Sequence, residues 1–251
     1  MVTTDVDGTP APRLTGRMRL IQGGRSAEAP AMPPPNARPS PRAAAGPVCA
    51  IVGGTGLSAK LDLLARLVTR VDVLALGGGI ANSFLAAAGT DMGASLCDHE
   101  LIGEARKLLD KAKTCRCELL LPVDVVVATE ARDGAEDRVV SCAAIGPEDM
   151  VLDIGPATVA RLTGCVEAAG TVVLTGPLGV YEIAPFDGGT NALAWFIARR
   201  TRDAGLRSVA AGDDTIAALA AAGVDGRFSE LTSRDALPAW LDVASHRAVP
   251  A

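Results

Sequence analysis

Aromatic residues are scarce in this chain. Four Phe, two Trp and one Tyr are spread over 251 residues, and none precedes Phe84. Histidine occurs only as His99 and His246, which leaves little for a His-based metal centre or general-base array. The six cysteines, Cys49, Cys97, Cys115, Cys117, Cys142 and Cys165, include no Cys-x-x-Cys pair, so a zinc ribbon is excluded. No run of about 18 apolar residues exists, which excludes a membrane-spanning helix. No secretory signal is visible, so reduced thiols and a cytoplasmic location are expected. Gly-Lys-Ser and Gly-Lys-Thr are both missing, and with them the Walker phosphate loop.

Charge is unevenly distributed. Lys plus Arg total 24 against 29 Asp plus Glu, a net charge of -5 that argues against a nucleic-acid or membrane-surface partner. Residues 1–46 hold six Arg and three acids, a net +3, and the remainder carries -8. Nine of the 16 prolines fall within residues 1–47. A segment without aromatics and rich in proline buries too little apolar area to offset its ordering entropy. Residues 1–46 are expected to be a disordered tail, and 47–251 one nucleotide-binding α/β domain.

Within 47–251 short apolar runs alternate with helical patterns. Strands are predicted at Val48 to Val52, Asp72 to Leu76, Glu118 to Ala128 with a break at Pro122, Met150 to Ile154, Thr171 to Leu174, Leu206 to Ala210 and Arg227 to Leu231. Helices are predicted between them, and Arg138 to Ala143 reads as a small strand beside the main sheet. The pattern predicts an open, mainly parallel sheet with helices on both faces. Trp195 and Phe196, in an apolar helix, are expected in the core. Ligands of such folds sit at the carboxyl ends of strands. Glycines mark several of those ends: Gly53 and Gly54, Gly77 to Gly79, Gly176 and Gly179, and Gly212. Three consecutive glycines exceed what a turn needs and point to close approach of a flat ligand. Gly53-Gly54-Thr55-Gly56 is a poor dinucleotide fingerprint, because the third glycine is missing and Asp72 opens rather than ends its strand. Tyr181 has no lysine after it, which removes a short-chain dehydrogenase pair.

Five motifs occur in one order. They are Ile51-Val52-Gly53-Gly54 with Leu57-Ser58-Ala59-Lys60, Val71 to Leu85 with its three glycines, Leu120 to Ala128, Asp153-Ile154-Gly155-Pro156, and Gly176-Pro177-Leu178-Gly179-Val180-Tyr181-Glu182. Over about residues 48–232 this set resembles the C-terminal, nucleotide-binding half of phosphoglycerate kinases. The resemblance implies ATP or ADP with Mg2+. Adenine would lie against Gly77 and Gly78 between Pro177 and Val180, and Glu182 would accept hydrogen bonds from the ribose. Lys60 would reach the phosphates, and Asp214 would hold the metal beside Thr215. Gly53, Gly54, Gly179 and Gly212 complete the implied nucleotide set. Asp214 is otherwise read as a helix cap.

Departures from the family pattern fall on the phosphate side. The loop lysine is Gly56, the asparagine before Gly-Pro is Thr175, and the glycine before the metal aspartate is Asp213. The late glycine-rich loop reads Ser233-Arg234-Asp235, and Arg234 is expected to return some of the missing positive charge. The family's substrate-binding N-terminal domain has no counterpart in residues 1–46. Loss of its positioning costs about 7 kcal/mol or more, and each lost donor about 3–4 kcal/mol. The expected protein binds adenine nucleotide and is weak or inactive alone. An active kinase with a separately encoded N-terminal partner, and a non-catalytic interaction or self-associating domain, are the two alternatives.

Overall fold

In a computed structural model, residues 46–244 are described. The stretch expected to be disordered lies outside them, save Gly46, as does His246. Six strands form a parallel sheet: β1 (Val48–Val52), β2 (Val73–Leu76), β3 (Glu118–Leu120), β7 (Thr171–Thr175), β8 (Arg207–Ala211) and β9 (Glu230–Thr232). Their order is β3-β2-β1-β7-β8-β9.

All five β1 residues are buried, because β1 is central and covered on both faces. Its side chains alternate between two cores. Val48, Ala50 and Val52 join a cluster with α1 (Leu61–Arg70), α2 (Gly78–Ala87), α3 (Ile102–Thr114) and α7 (Leu237–Ala244). Cys49 and Ile51 join the opposite cluster, with α4 (Pro156–Ala168), α5 (Gly188–Ala204) and α6 (Asp213–Ala221). Phe84, Leu64 and Ile197 are fully buried in these layers, each worth about 2–3 kcal/mol. The doubly covered parallel sheet is thus the predicted architecture.

Three local expectations are corrected. The run Glu118 to Ala128 is not one interrupted strand: β4 (Asp124–Ala128) leaves the main sheet and pairs antiparallel with β5 (Arg138–Ser141) and β6 (Met150–Ile154). Pro122 offers no N–H, and the next two amides, Val123 and Asp124, donate to Thr158 Oγ1 instead of to a strand. Residues 225–227 form a 3-10 turn, and β9 begins only at Glu230. Trp195 is not core. It is 47% exposed and lies under the Arg227 guanidinium at 4.9 Å. The buried stripe of α5 runs through Leu193, Ala194, Ile197 and Ala198, which turns position 195 outward. Phe196 is half-buried against the core.

β2 follows β1 on one side, and β7 flanks β1 on the other. That reversal opens a crevice at the carboxyl ends of β1 and β7, where an open α/β sheet receives its ligand.

Candidate functional site

The loops that leave β1, β2 and β7 are laced together by their backbones. Gly53 N–H donates to Thr175 O at 2.8 Å and Gly54 N–H to Pro177 O at 2.6 Å. Gly78 N–H donates to Leu178 O at 3.0 Å, and Ile80 N–H to Gly54 O at 3.1 Å. This lacing explains the glycines. Gly78 has φ +58, and a Cβ there would lie 2.7 Å from Gly54 N. A Cβ on Gly53 would collide with the Pro177 carbonyl. The glycine run that suggested a flat ligand is thus largely required by protein packing protein.

A pocket of about 200 Å³ opens beside the laced loops. Gly54, Gly78, Gly179 and Val180, all sequence candidates, line it. Leu178 and Leu152 contribute apolar wall. Gly53 and Gly77 are buried outside this lining, Pro177, expected as an adenine wall, is not part of it, and Glu182 is exposed in the following turn. Pocket residues that the sequence reading missed include Asn82, Leu96, Met150 and Asp153. Asp153 carried a signal: a carboxylate in an otherwise apolar buried strand calls for partners.

Asp153 is 2% exposed. Its Oδ2 accepts from Gly189 N–H at 2.6 Å and its Oδ1 from Ile154 N–H at 2.8 Å. The carboxyl therefore ties β6 to the first turn of α5 at the base of the pocket. Burial pushes its pKa up to about 7, against the pull of the two amides.

The polar end of the site begins at Gly54. Lys60 is only 5% exposed, and its Nζ donates to Gly53 O at 2.5 Å. Cβ atoms on Gly54 or Gly176 would each come within 2.9 Å of that Nζ. Burial pushes the Lys60 pKa down to about 8; the positive charge of Arg234 adds to the fall and Asp214 opposes it. Thr215 Oγ1 accepts from Gly176 N–H at 2.7 Å and donates to Ala211 O at 2.7 Å. Gly212, at φ +96, precedes α6. Asp214 is exposed in the first turn of α6 and makes no capping hydrogen bond, so the cap reading does not hold. The Tyr181 phenol is pushed up by burial and by the neighbouring carboxylates of Glu182 and Asp214.

An apolar slot thus adjoins a buried ammonium at one crossing of three loops. The family model for phosphoglycerate kinase matches residues 40–233. The chain belongs to the phosphoglycerate kinase family. It is 50% identical over 197 residues to the phosphoglycerate kinase of Xanthobacter autotrophicus, and 49% identical over 197 residues to that of Rhodospirillum centenum. Each match covers 78% of this chain and 50% of the relative, so the chain spans about half the length of these curated relatives. The solved phosphoglycerate kinase of Coxiella burnetii superposes with a TM-score of 0.73 at 38% identity, over 78% of this chain and 50% of that one. The Pyrococcus horikoshii phosphoglycerate kinase shares the fold, with a TM-score of 0.59 at 22% identity.

The departures from the family pattern have structural positions. Gly56 has φ +73 with open space around it. Thr175 is buried at the end of β7, where its carbonyl holds Gly53. Asp213 is exposed beside Asp214. Among the described residues no helix is long and apolar enough to cross a membrane.

Proposed function

We propose that this chain binds ADP or ATP in the slot between Gly78 and Val180, and that it is a poor phosphoryl-transfer catalyst on its own. The observation that carries the reading is the shared residue Gly54. It lines the apolar pocket, and a Cβ added to it would lie 2.9 Å from the Lys60 ammonium, so one ligand can bury a flat base and present phosphates to a cation. Glu182, just beyond the pocket wall, receives the ribose hydroxyls, and Thr215 and Gly212 flank the phosphates.

Phosphoryl transfer depends on positioning and on charge placed at the moving group. The position of the family's loop lysine carries no charge here, and Asp213 adds a negative one. Each lost donor costs about 3–4 kcal/mol of barrier. The half of the relatives that this chain does not match is a further source of positioning, worth about 7 kcal/mol or more.

The family uses ATP or ADP with Mg2+. Among the described residues no group of three or more His, Cys, Asp or Glu is arranged to hold a metal. Asp214 offers one exposed carboxylate, which suits Mg2+ when nucleotide phosphates supply further oxygens. A single exposed carboxylate adds little to the hold on the ion, so little magnesium dependence of nucleotide binding is expected.

A coupled assay with ATP and 3-phosphoglycerate tests the catalytic half of the proposal. Background turnover by the 251-residue chain is the expected result, and a rate like that of a full-length relative contradicts it. Turnover that returns on adding a phosphoglycerate-binding half favours an active enzyme with a separate partner.

A further inference from the structure

The end of the crevice away from the base pocket holds a second cation, Arg234, in the late loop where the family pattern has glycine. Arg234 lies in the turn between β9 and α7, where Ala236 N–H donates to Ser233 O and Leu237 N–H to Arg234 O. A Cβ on Gly212 would lie 3.8 Å from both Cβ and Nε of Arg234, and 3.8 Å from Thr215 Oγ1. Thr215 Oγ1 receives Gly176 N–H, and Gly176 in turn faces Lys60 Nζ. Lys60, Gly176, Thr215, Gly212 and Arg234 therefore form a continuous strip across the ends of β1, β7, β8 and β9.

Both cations on this strip have unused donors. An ammonium carries three N–H donors, and Gly53 O is the acceptor found for Lys60. Arg234 takes part in none of the ion pairs found among the described residues. Nearby carboxylates include Asp213 and Asp214, both exposed in the first turn of α6, and Asp235, exposed next to Arg234 in the chain. Asp213 and Asp214 repel an anionic ligand at a helix end that would otherwise attract one. A polyphosphate reaching this strip needs a charge that offsets them, and Arg234 stands where it can supply it.

We infer that Arg234 and Lys60 form a two-cation clamp for the terminal phosphates of a nucleoside di- or triphosphate, with Thr215 and Gly212 as the floor between them. The inference rests on the nucleotide reading and adds to it a residue that discriminates by phosphate number. A guanidinium presents a rigid fork that matches two phosphate oxygens, which an ammonium does not. The clamp thus favours ATP and ADP over AMP and adenosine through Arg234 in particular.

Calorimetric titrations of the full chain with ATP, ADP, adenosine and inorganic tripolyphosphate test it, on wild type, Arg234→Ala and Arg234→Lys. A charge-assisted contact of this kind corresponds to about tenfold or more in affinity. Arg234→Ala should weaken ATP, ADP and tripolyphosphate by about that factor while leaving adenosine within about twofold and the unfolding midpoint unmoved, since the side chain is exposed. Arg234→Lys should recover only part of the loss. ATP affinity in Arg234→Ala within about twofold of wild type overturns the clamp, as does an equal loss for adenosine. Arg234-dependent tripolyphosphate binding without adenosine binding would keep the clamp and discard the base pocket. Wild type binding none of the four would discard both.

Discussion

Asp153→Asn is a perturbation whose effect should change with pH in a calculable way. In the wild type both carboxylate oxygens accept buried amides, one from α5 and one from its own strand. Asn keeps one acceptor and turns an NH2 toward the other amide, which leaves a buried N–H unpaired at a cost of about 1–3 kcal/mol. The pH dependence comes from the raised pKa. Folding lifts the carboxyl from its ordinary 3.8 to about 7, so the protonated form favours the folded state. The stabilisation is fully present below the unfolded value and is lost as pH rises through about 7. The whole shift corresponds to about 4 kcal/mol, of which roughly 2 kcal/mol is lost between pH about 5.5 and 8. Asn has no such term. Urea unfolding of both proteins at the two pH values should therefore show the variant's penalty shrinking by about 2 kcal/mol on going to pH 8. A penalty that is constant within about 0.5 kcal/mol, or that grows with pH, would mean that folding does not raise the Asp153 pKa.

Other perturbations follow from the same geometry. ATP affinity should fall as pH rises through about 8, where Lys60 loses its proton, and Lys60→Met should flatten that profile; calorimetry across pH reads both. Asp124→Ala should destabilise by about 2 kcal/mol in urea melts, since Asp124 accepts Ala157 N–H at 2.9 Å and Thr158 N–H at 2.7 Å at the start of α4. Trp195→Ala should cost about 1 kcal/mol or less in the same melts, where a core tryptophan would cost about 3–5 kcal/mol. Gly56→Lys should lower stability by about 1 kcal/mol, because position 56 has φ +73, and the coupled assay should show no recovery of turnover.

The parallel sheet and its doubly covered faces were legible because β1, β2 and β7 are short, almost wholly apolar and end in glycine. Helix periodicity gave α1 and α3 for the same reason. The division of Glu118 to Ala128 between two sheets was not legible, since both halves are apolar and only pairing partners distant in sequence separate them. Trp195 misled because an aromatic in an apolar helix suggests core, while the face it occupies depends on where the neighbouring elements lie. At the site, the glycines were legible as important but not as to why. A backbone that must approach another loop and one that must approach a ligand use the same residue. Asp153 was visible as part of a motif, yet its role depends on Gly189, 36 residues away. Arg234 was visible as a replacement in the late loop, but its position beside Gly212 emerges only when β8 and β9 pair.

We propose above that the 251-residue chain holds an adenine nucleotide between the β2 and β7 loops. Calorimetry with ADP, paired with a thermal-shift titration, tests it most directly. Saturable heat and a rise in melting temperature at millimolar or lower ADP, with little change on adding Mg2+, are the predicted results. No heat and no shift at millimolar nucleotide would contradict the account and leave a closed interaction domain in its place.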